Sequence, residues 1–213
     1  MAQVPLYEQW HDGGFIVSED NGHRSRDKIT LTGGAKVYAG TVLGKQTTGN
    51  TAVATVLGAN TGNGTFGAIA VGSGASAGAY IVEFDSAANY IVSAPGGQEV
   101  GHGTTGSAFN AGGLGFTITA GATAFAAGDS FTITVAAGSG KYVTSVSTAT
   151  DGSQVPAAIL FGTTDATVAD KSAAAITRAA EINASEIIWD PSYSAPQITA
   201  GLAVLAGLGI IAR

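Results

Sequence analysis

Gly44-Lys45-Gln46-Thr47-Thr48-Gly49 and Gly138-Ser139-Gly140-Lys141-Tyr142-Val143 bracket a stretch whose composition differs sharply from the rest of the chain. The nine Lys and Arg residues all lie outside residues 46–140: Arg24, Arg26, Lys28, Lys36 and Lys45 precede it, and Lys141, Lys171, Arg178 and Arg213 follow it. The bracketed stretch holds 20 of the 32 glycines and only four acids, Glu83, Asp85, Glu99 and Asp129. A shift this abrupt, with an edge on each side, predicts a module inserted into a host domain. Chains accept insertions at exposed loop tips whose two ends lie close together.

Inside the insert, short runs alternate between apolar and polar residues: Thr51–Leu57, Thr65–Val71, Ala79–Phe84, Asn89–Ser93, Phe116–Thr119 and Phe131–Val135. Turn-forming clusters separate them, such as Asn60-Thr61-Gly62-Asn63-Gly64, Pro95-Gly96-Gly97 and Ala127-Gly128-Asp129. Short strands at this spacing predict an immunoglobulin-like antiparallel β-sandwich of about 100 residues. Phe116-Thr117-Ile118-Thr119 and Phe131-Thr132-Ile133-Thr134 nearly repeat each other, so each buries Phe and Ile and turns its threonines outward.

The flanking segments, 24–45 plus 141–213, read as a β-rich α+β domain, which makes the whole chain mainly β with a short helical part. Lys28–Thr32 and Lys36–Leu43 are strand-like and joined by Gly33-Gly34; Tyr142–Ser147 and the apolar Ala157–Phe161 follow the insert. Asp170–Ala175 reads as a helical or loop excursion, Ala174–Asn183 fits helix or strand, and Glu186–Trp189 is extended. Ser194 is a good N-cap with Pro196 in the first turn, Ile198, Leu202 and Leu205 recur at helical spacing, and Gly207 is a plausible C-cap before a closing strand over 208–212.

Bulk composition removes several function classes. Cysteine is absent, so disulfides, thiolate metal sites and cysteine nucleophiles are absent too. A net charge of -6 argues against nucleic acid, because phosphate binding needs clustered cations, and the one cluster (Arg24, Arg26, Lys28) is offset by Glu19, Asp20 and Asp27. Met1–Trp10 lacks the pattern of a signal peptide. Ile198–Ala212 is uncharged but, at 15 residues with three glycines, shorter than the roughly 20 a membrane span needs, so it reads as core.

Reactive groups are scattered. His11, His23 and His102 show no metal-ligand spacing. Gly62-Asn63-Gly64-Thr65-Phe66-Gly67 matches G-x-G-x-x-G, yet a strand-like run follows where a dinucleotide site needs a helix, so a tight turn is expected. Glu83, Asp85 and Asp129 lack calcium-loop spacing, and no G-x-S-x-G elbow is present. The expectation is a protein without catalytic residues, metal or cofactor.

The flanking segments resemble the tailed-phage head decoration proteins of the protein D type. The resemblance is carried by residues 151–160 (Asp-Gly-Ser-Gln-Val-Pro-Ala-Ala-Ile-Leu), by Arg178-Ala179-Ala180-Glu181-Ile182-Asn183, by Ile187-Ile188-Trp189, by the final helix with residues 209–213, and by residues 24–31 upstream. It implies a homotrimer on the outer surface of the expanded head, made in the host cytoplasm and bound to the major capsid protein. It further implies an N-terminal arm, residues 1–23, that reaches onto the shell. Val4, Leu6, Tyr7, Trp10, Phe15, Ile16 and Val17 are the expected contacts, too few to form a core but enough to add a strand to an exposed sheet edge. The other reading is a tail, or a strand folded onto its own domain. The insert at 46–140 could instead be adhesive toward host-surface glycans, with Tyr80, Tyr90, Phe109 and Phe125 as an exposed aromatic cluster or, alternatively, as core.

Overall fold

Residues 11–21 and 24–213 are described in the computed structural model of the chain. The chain divides into two compact units, one formed by the residues up to 45 with 141–148 and 153–213, the other by 46–140 with 149–152. In chain order the first unit contributes β1 (Ile16–Glu19), β2 (Arg26–Leu31), β3 (Lys36–Val37) and β4 (Val42–Lys45). The second holds β5 (Thr48–Val56), β6 (Thr65–Phe66), β7 (Ala70–Val71), β8 (Gly78–Phe84), β9 (Asn89–Ser93), β10 (Glu99–Thr104), β11 (Ala108–Ala111), β12 (Leu114–Thr119) and β13 (Ser130–Ala137). The first unit then resumes with β14 (Tyr142–Thr144), β15 (Pro156–Leu160), β16 (Thr164–Asp165), β17 (Lys171–Ile176), β18 (Ala180–Ile182), α1 (Ala195–Gly207) and β19 (Ile210–Ala212).

The first unit is a five-stranded closed barrel in the order β14-β2-β17-β15-β4, flanked by a three-stranded sheet β1-β18-β19 and by α1. Strand alternation gives it two cores. Leu31, Leu43, Ala158, Leu160, Ala173 and Ala175 fill the barrel, while Val42, Ile159 and Ile176 belong to a second core with Phe15, Ile182, Leu205 and Ile210. Residues of β15 are therefore buried on both faces, which is why its sequence is continuously apolar.

Several sequence expectations shift for identifiable reasons. Residues 170–175, expected as a helical or loop excursion, are mostly strand β17, paired to β2 along six residues and to β15. Its alanines signal helix by propensity; here they fit the narrow interior of a five-stranded barrel, where larger side chains have no room. The ambiguous stretch after it splits into the end of β17 and β18, with Ala179 at φ 48 in the turn between them. Gly207 is the last helical residue, and Gly209, at φ 82, makes the left-handed turn into β19.

Ser194 starts the helix: its N–H and its hydroxyl both donate to Gln197 Oε1, at 2.9 and 2.7 Å. Of residues 186–189, Ile188 bridges Thr41: its carbonyl accepts the Val42 N–H and its N–H donates to Gly40 O, each at 2.9 Å. Trp189 lies against the helix so closely that a Cβ on Gly201 would stand 2.5 Å from its ring.

The second unit is an antiparallel sandwich. One sheet runs β10-β9-β8-β13-β5, the other β11-β12-β6 with β7 also on β12. The near-repeat lies on β12 and β13, one in each sheet; Phe116, Ile118, Phe131 and Ile133 are buried and Thr119 and Thr134 exposed. The strand order is not immunoglobulin-like. In that fold consecutive strands repeatedly cross between sheets, whereas β8, β9 and β10 form a meander because the turns between them are short. β10 and β11 had no strand signal, because Gly101, Gly103 and Gly106 read as loop. Gly101 and Gly103 lie against aromatic rings: a Cβ would stand 3.3 Å from the Phe109 ring at the first and 2.3 Å from the Tyr90 ring at the second. The sandwich core is largely aromatic, with Phe84 and Phe125 stacked at 3.9 Å and Phe109 and Phe116 at 4.8 Å between centroids.

Two helix glycines separate intrinsic propensity from packing. Gly207 has open space around its Cβ position, so Gly207→Ala is expected to stabilise the first unit by about 0.5–1 kcal/mol. Gly201→Ala carries the same propensity gain but must displace Trp189, and it is expected to destabilise by about 1–3 kcal/mol. Denaturant unfolding followed by Trp fluorescence checks both signs.

Candidate functional site

The expected arm residues divide. Val4, Leu6, Tyr7 and Trp10 lie outside the described residues. Phe15 is not an arm residue: it is 3% exposed and part of the second core, and its carbonyl accepts the Asn183 N–H at 2.8 Å. Ile16 is half-buried against the same core and pairs with Ile182. The reason is geometric, since β18 offers an unpaired edge and residues 15–19 satisfy it. The preceding turn is also tied down, with the Gly13 N–H donating to Phe161 O at 2.8 Å and the Thr163 N–H to Asp12 Oδ1 at 3.1 Å. Val17 alone of the three points outward, at 58% exposure.

Polar contacts hold β1 in place. Ser18 Oγ donates to Glu181 Oε2 at 2.9 Å, and Arg213 also engages Glu181. Hydrogen bonds from Arg213 and Ser18 hold the Glu181 carboxyl below its ordinary range. Glu19 accepts from Ser25 Oγ at 2.6 Å and from Arg26 Nε at 2.9 Å, while the Arg26 guanidinium lies 3.9 Å over the Phe161 ring. Among the described residues β1 has one neighbour in its sheet, β18, so its other side is a sheet edge there. A fixed strand with an open edge and an outward valine can accept a further strand.

A second apolar feature lies beside α1. Val155, Pro156, Tyr193, Ala200 and Val204 line a cavity of about 210 Å³. Its polar groups are engaged: the Tyr193 hydroxyl donates to Gln154 O and meets Ser145 Oγ, each at 2.7 Å. The sequence carried a signal for this face in its uncharged run, but that run read simply as core.

In the second unit Tyr80, Tyr90, Phe109 and Phe125 are all buried, so the exposed aromatic cluster that an adhesive surface would need is not formed by them. Gly62 and Gly64 face the Phe125 ring, where a Cβ would come within 2.4 and 2.6 Å, and β6 rather than a helix follows. Asp129 is a structural pin: its carboxylate accepts the N–H groups of Thr61 and Gly62 at 2.8 Å and of Ala126 at 3.0 Å. Those bonds, Gly62 foremost, hold its carboxyl below the ordinary range. Glu83 and Asp85 are exposed on β8 and its turn. His102 meets Glu99 at 2.9 Å, and His23 lies outside the described residues. Among the described residues no three His, Cys, Asp or Glu side chains gather to hold a metal, and no helix is long and apolar enough to cross a membrane.

The described residues thus form a β-rich chain with β1 at the margin of its sheet and an apolar cavity beside α1. The profile of the bacteriophage lambda head decoration protein D family matches residues 5–210. The chain belongs to that family, which is one of structural phage proteins. No curated protein matches. Partial likenesses exist to FlgL of Xanthomonas campestris, 29% identical with a TM-score of 0.34 over 46% of this chain and 33% of that one. A second FlgL crystal form covers 44% and 31% at the same identity and TM-score. The hook junction protein FlgK of Burkholderia pseudomallei is 22% identical, TM-score 0.34, over 57% and 21%. The chain thus spans a third or less of these flagellar proteins.

Because Asp129 is held below its ordinary pKa when folded, its bonds contribute in full above that ordinary value of about 4 and are lost as pH falls through the lower folded value. Asp129→Asn is therefore expected to lower the thermal midpoint of the second unit by a constant amount between about pH 5 and 8. The gap to wild type should narrow below about pH 4, which calorimetry across that range measures.

Proposed function

We propose that the chain seats on the outer surface of the expanded phage head as a homotrimer and stabilises the shell by binding the major capsid protein. Family membership over residues 5–210 carries the reading. The edge of β1 supports a mode for it: on the shell, residues 1–10, with Val4, Leu6, Tyr7 and Trp10, join Val17 in binding a sheet edge of the capsid protein. Main-chain bonds supply the affinity and alternate side chains the register.

Three such segments on one trimer bind by avidity, so a weak single contact suffices. A ligand with affinity for the assembled shell and none for its dissociated parts stabilises the shell by mass action, and at a hundred times its Kd the gain is about 2.7 kcal/mol per site. This opposes the outward pressure of a packaged genome. Shell contact is assigned to the first unit; the burial of Tyr80, Tyr90, Phe109 and Phe125 gives no support to a glycan-binding role for the second.

Co-sedimentation with expanded, undecorated heads tests this. The full chain is expected to bind with saturation, and deletion of residues 1–10 to weaken binding at least tenfold with the thermal midpoint unchanged. Absence of binding by the full chain, or equal binding by the truncated one, would overturn the proposal.

A further inference from the structure

Charge is distributed unevenly over the first unit. Most of its ion pairs lie on β1, β2, β18 and the residues beside them, as with Arg26 and Glu19, Arg178 and Asp27, and Arg213 and Glu181, while Lys141 pairs with Asp170 at the starts of β14 and β17. By contrast the 22 residues from Pro191 to Ala212 carry no charge, nor do residues 142–150 or 152–164. These three uncharged segments supply every residue that lines the cavity beside α1.

The helix between them is not a buried one. Only Gly201 and Leu205 of α1 are buried; Ala200, Ala203, Val204 and Ala206 are exposed, and so is Leu208 just beyond it. Val155, Val204 and Leu208 stand at 48%, 40% and 41% exposure. Helices that face water ordinarily carry acids in the first turn and bases in the last, to complement the macrodipole. This one has neither. Of its few polar side chains, Gln197 is used in capping and the Thr199 hydroxyl donates back to Ala195 O at 3.2 Å. An apolar helix face beside an apolar cavity is the composition of an interface core, from which charge is depleted.

What covers it follows from the charge. Copies of a chain with net charge -6 repel one another in general. Rotational symmetry brings the same surface of every copy to the axis, so a charge there meets its own like. A face free of charge is the part of this molecule on which identical copies can meet without that penalty. We propose that the exposed face of α1, with the cavity lined by Val155, Pro156, Tyr193 and Val204, is where one copy of this chain packs against another. The inference rests on the homo-oligomeric reading above and adds its location.

The absence of cysteine allows a clean test on the full chain, because Val204→Cys introduces a single thiol, and Val53→Cys, on exposed β5, gives an unhindered reference. Light scattering of the wild type is expected to give a multiple of one chain's mass, and Val204→Asp the mass of one chain with unchanged near-UV circular dichroism. Maleimide is expected to label the Val204→Cys variant at least tenfold more slowly than the Val53→Cys variant. Should Val204→Asp misfold, the labelling comparison decides alone. Equal labelling of the two variants in an oligomeric protein would overturn the location and leave capsid docking intact. Labelling of Val204→Cys that is fast in free protein and slowed only on expanded heads would assign this face to the capsid protein instead, also overturning it. A wild type that stays monomeric at high concentration would overturn it too, while co-sedimentation with heads would still judge capsid docking separately.

Discussion

The first unit depends on strands β4 and β15, and on the end of β17, being buried on both faces. Leu43, Ala158, Leu160 and Ala175 close the barrel from inside, and Val42, Ile159 and Ile176, their chain neighbours, hold the outer layer. A single residue step thus assigns each side chain to one core or the other, and a register slip would exchange both sets at once. α1, β18, β19 and Phe15 have no core of their own; they are stabilised by the outer faces of the barrel strands. That dependence explains why residues 15–19 are sewn to the domain while Val17 still faces outward.

The second unit solves its packing differently. Its sheets meet through aromatic rings, and glycines on the facing strands and loops make room for them: Gly103 for Tyr90, Gly62 and Gly64 for Phe125. The high glycine content of this stretch is therefore partly a packing requirement. Tyr80 and Tyr90 show the polar cost of such a core. The Tyr80 hydroxyl accepts from the Ser76 N–H at 2.8 Å and lies 3.1 Å from Gly112 O. Tyr90 finds no such partner among the described residues, and burial raises its hydroxyl pKa.

Much of the β architecture could be read from residue order, because period-two alternation survives in strands such as Phe131–Val135 and turn chemistry marks their ends. Three kinds of element could not. Alanine-rich β17 looked like a helical or loop excursion, since propensity carries no information on the size of the space to be filled. β10 looked like loop, because its glycines answer to rings that are distant in sequence. The Phe15–Glu19 segment looked detached, since its partner β18 comes some 165 residues later. As for function, the family pattern was legible in residues 151–160 and 178–189, whereas the surface beside α1 was hidden because an uncharged run reads the same whether it faces a core or a neighbour.

The loop 149–152 has a consequence for how such a chain can be rearranged in evolution. In the first unit β4 and β14 hold Lys45 beside Tyr142, so a shorter link there is geometrically simple. Yet Asp151 accepts the N–H groups of Thr47 and Thr48 on its carbonyl, at 2.8 and 3.0 Å, and the Gln46 amide on its side chain at 2.8 Å. Gly152 leaves room for Thr47 that a Cβ would fill. Excising 46–140 alone would strand this loop. Residues 149–152 therefore belong with 46–140 as one structural unit although they lie apart in the chain, and any shortening there has to rebuild both segments together.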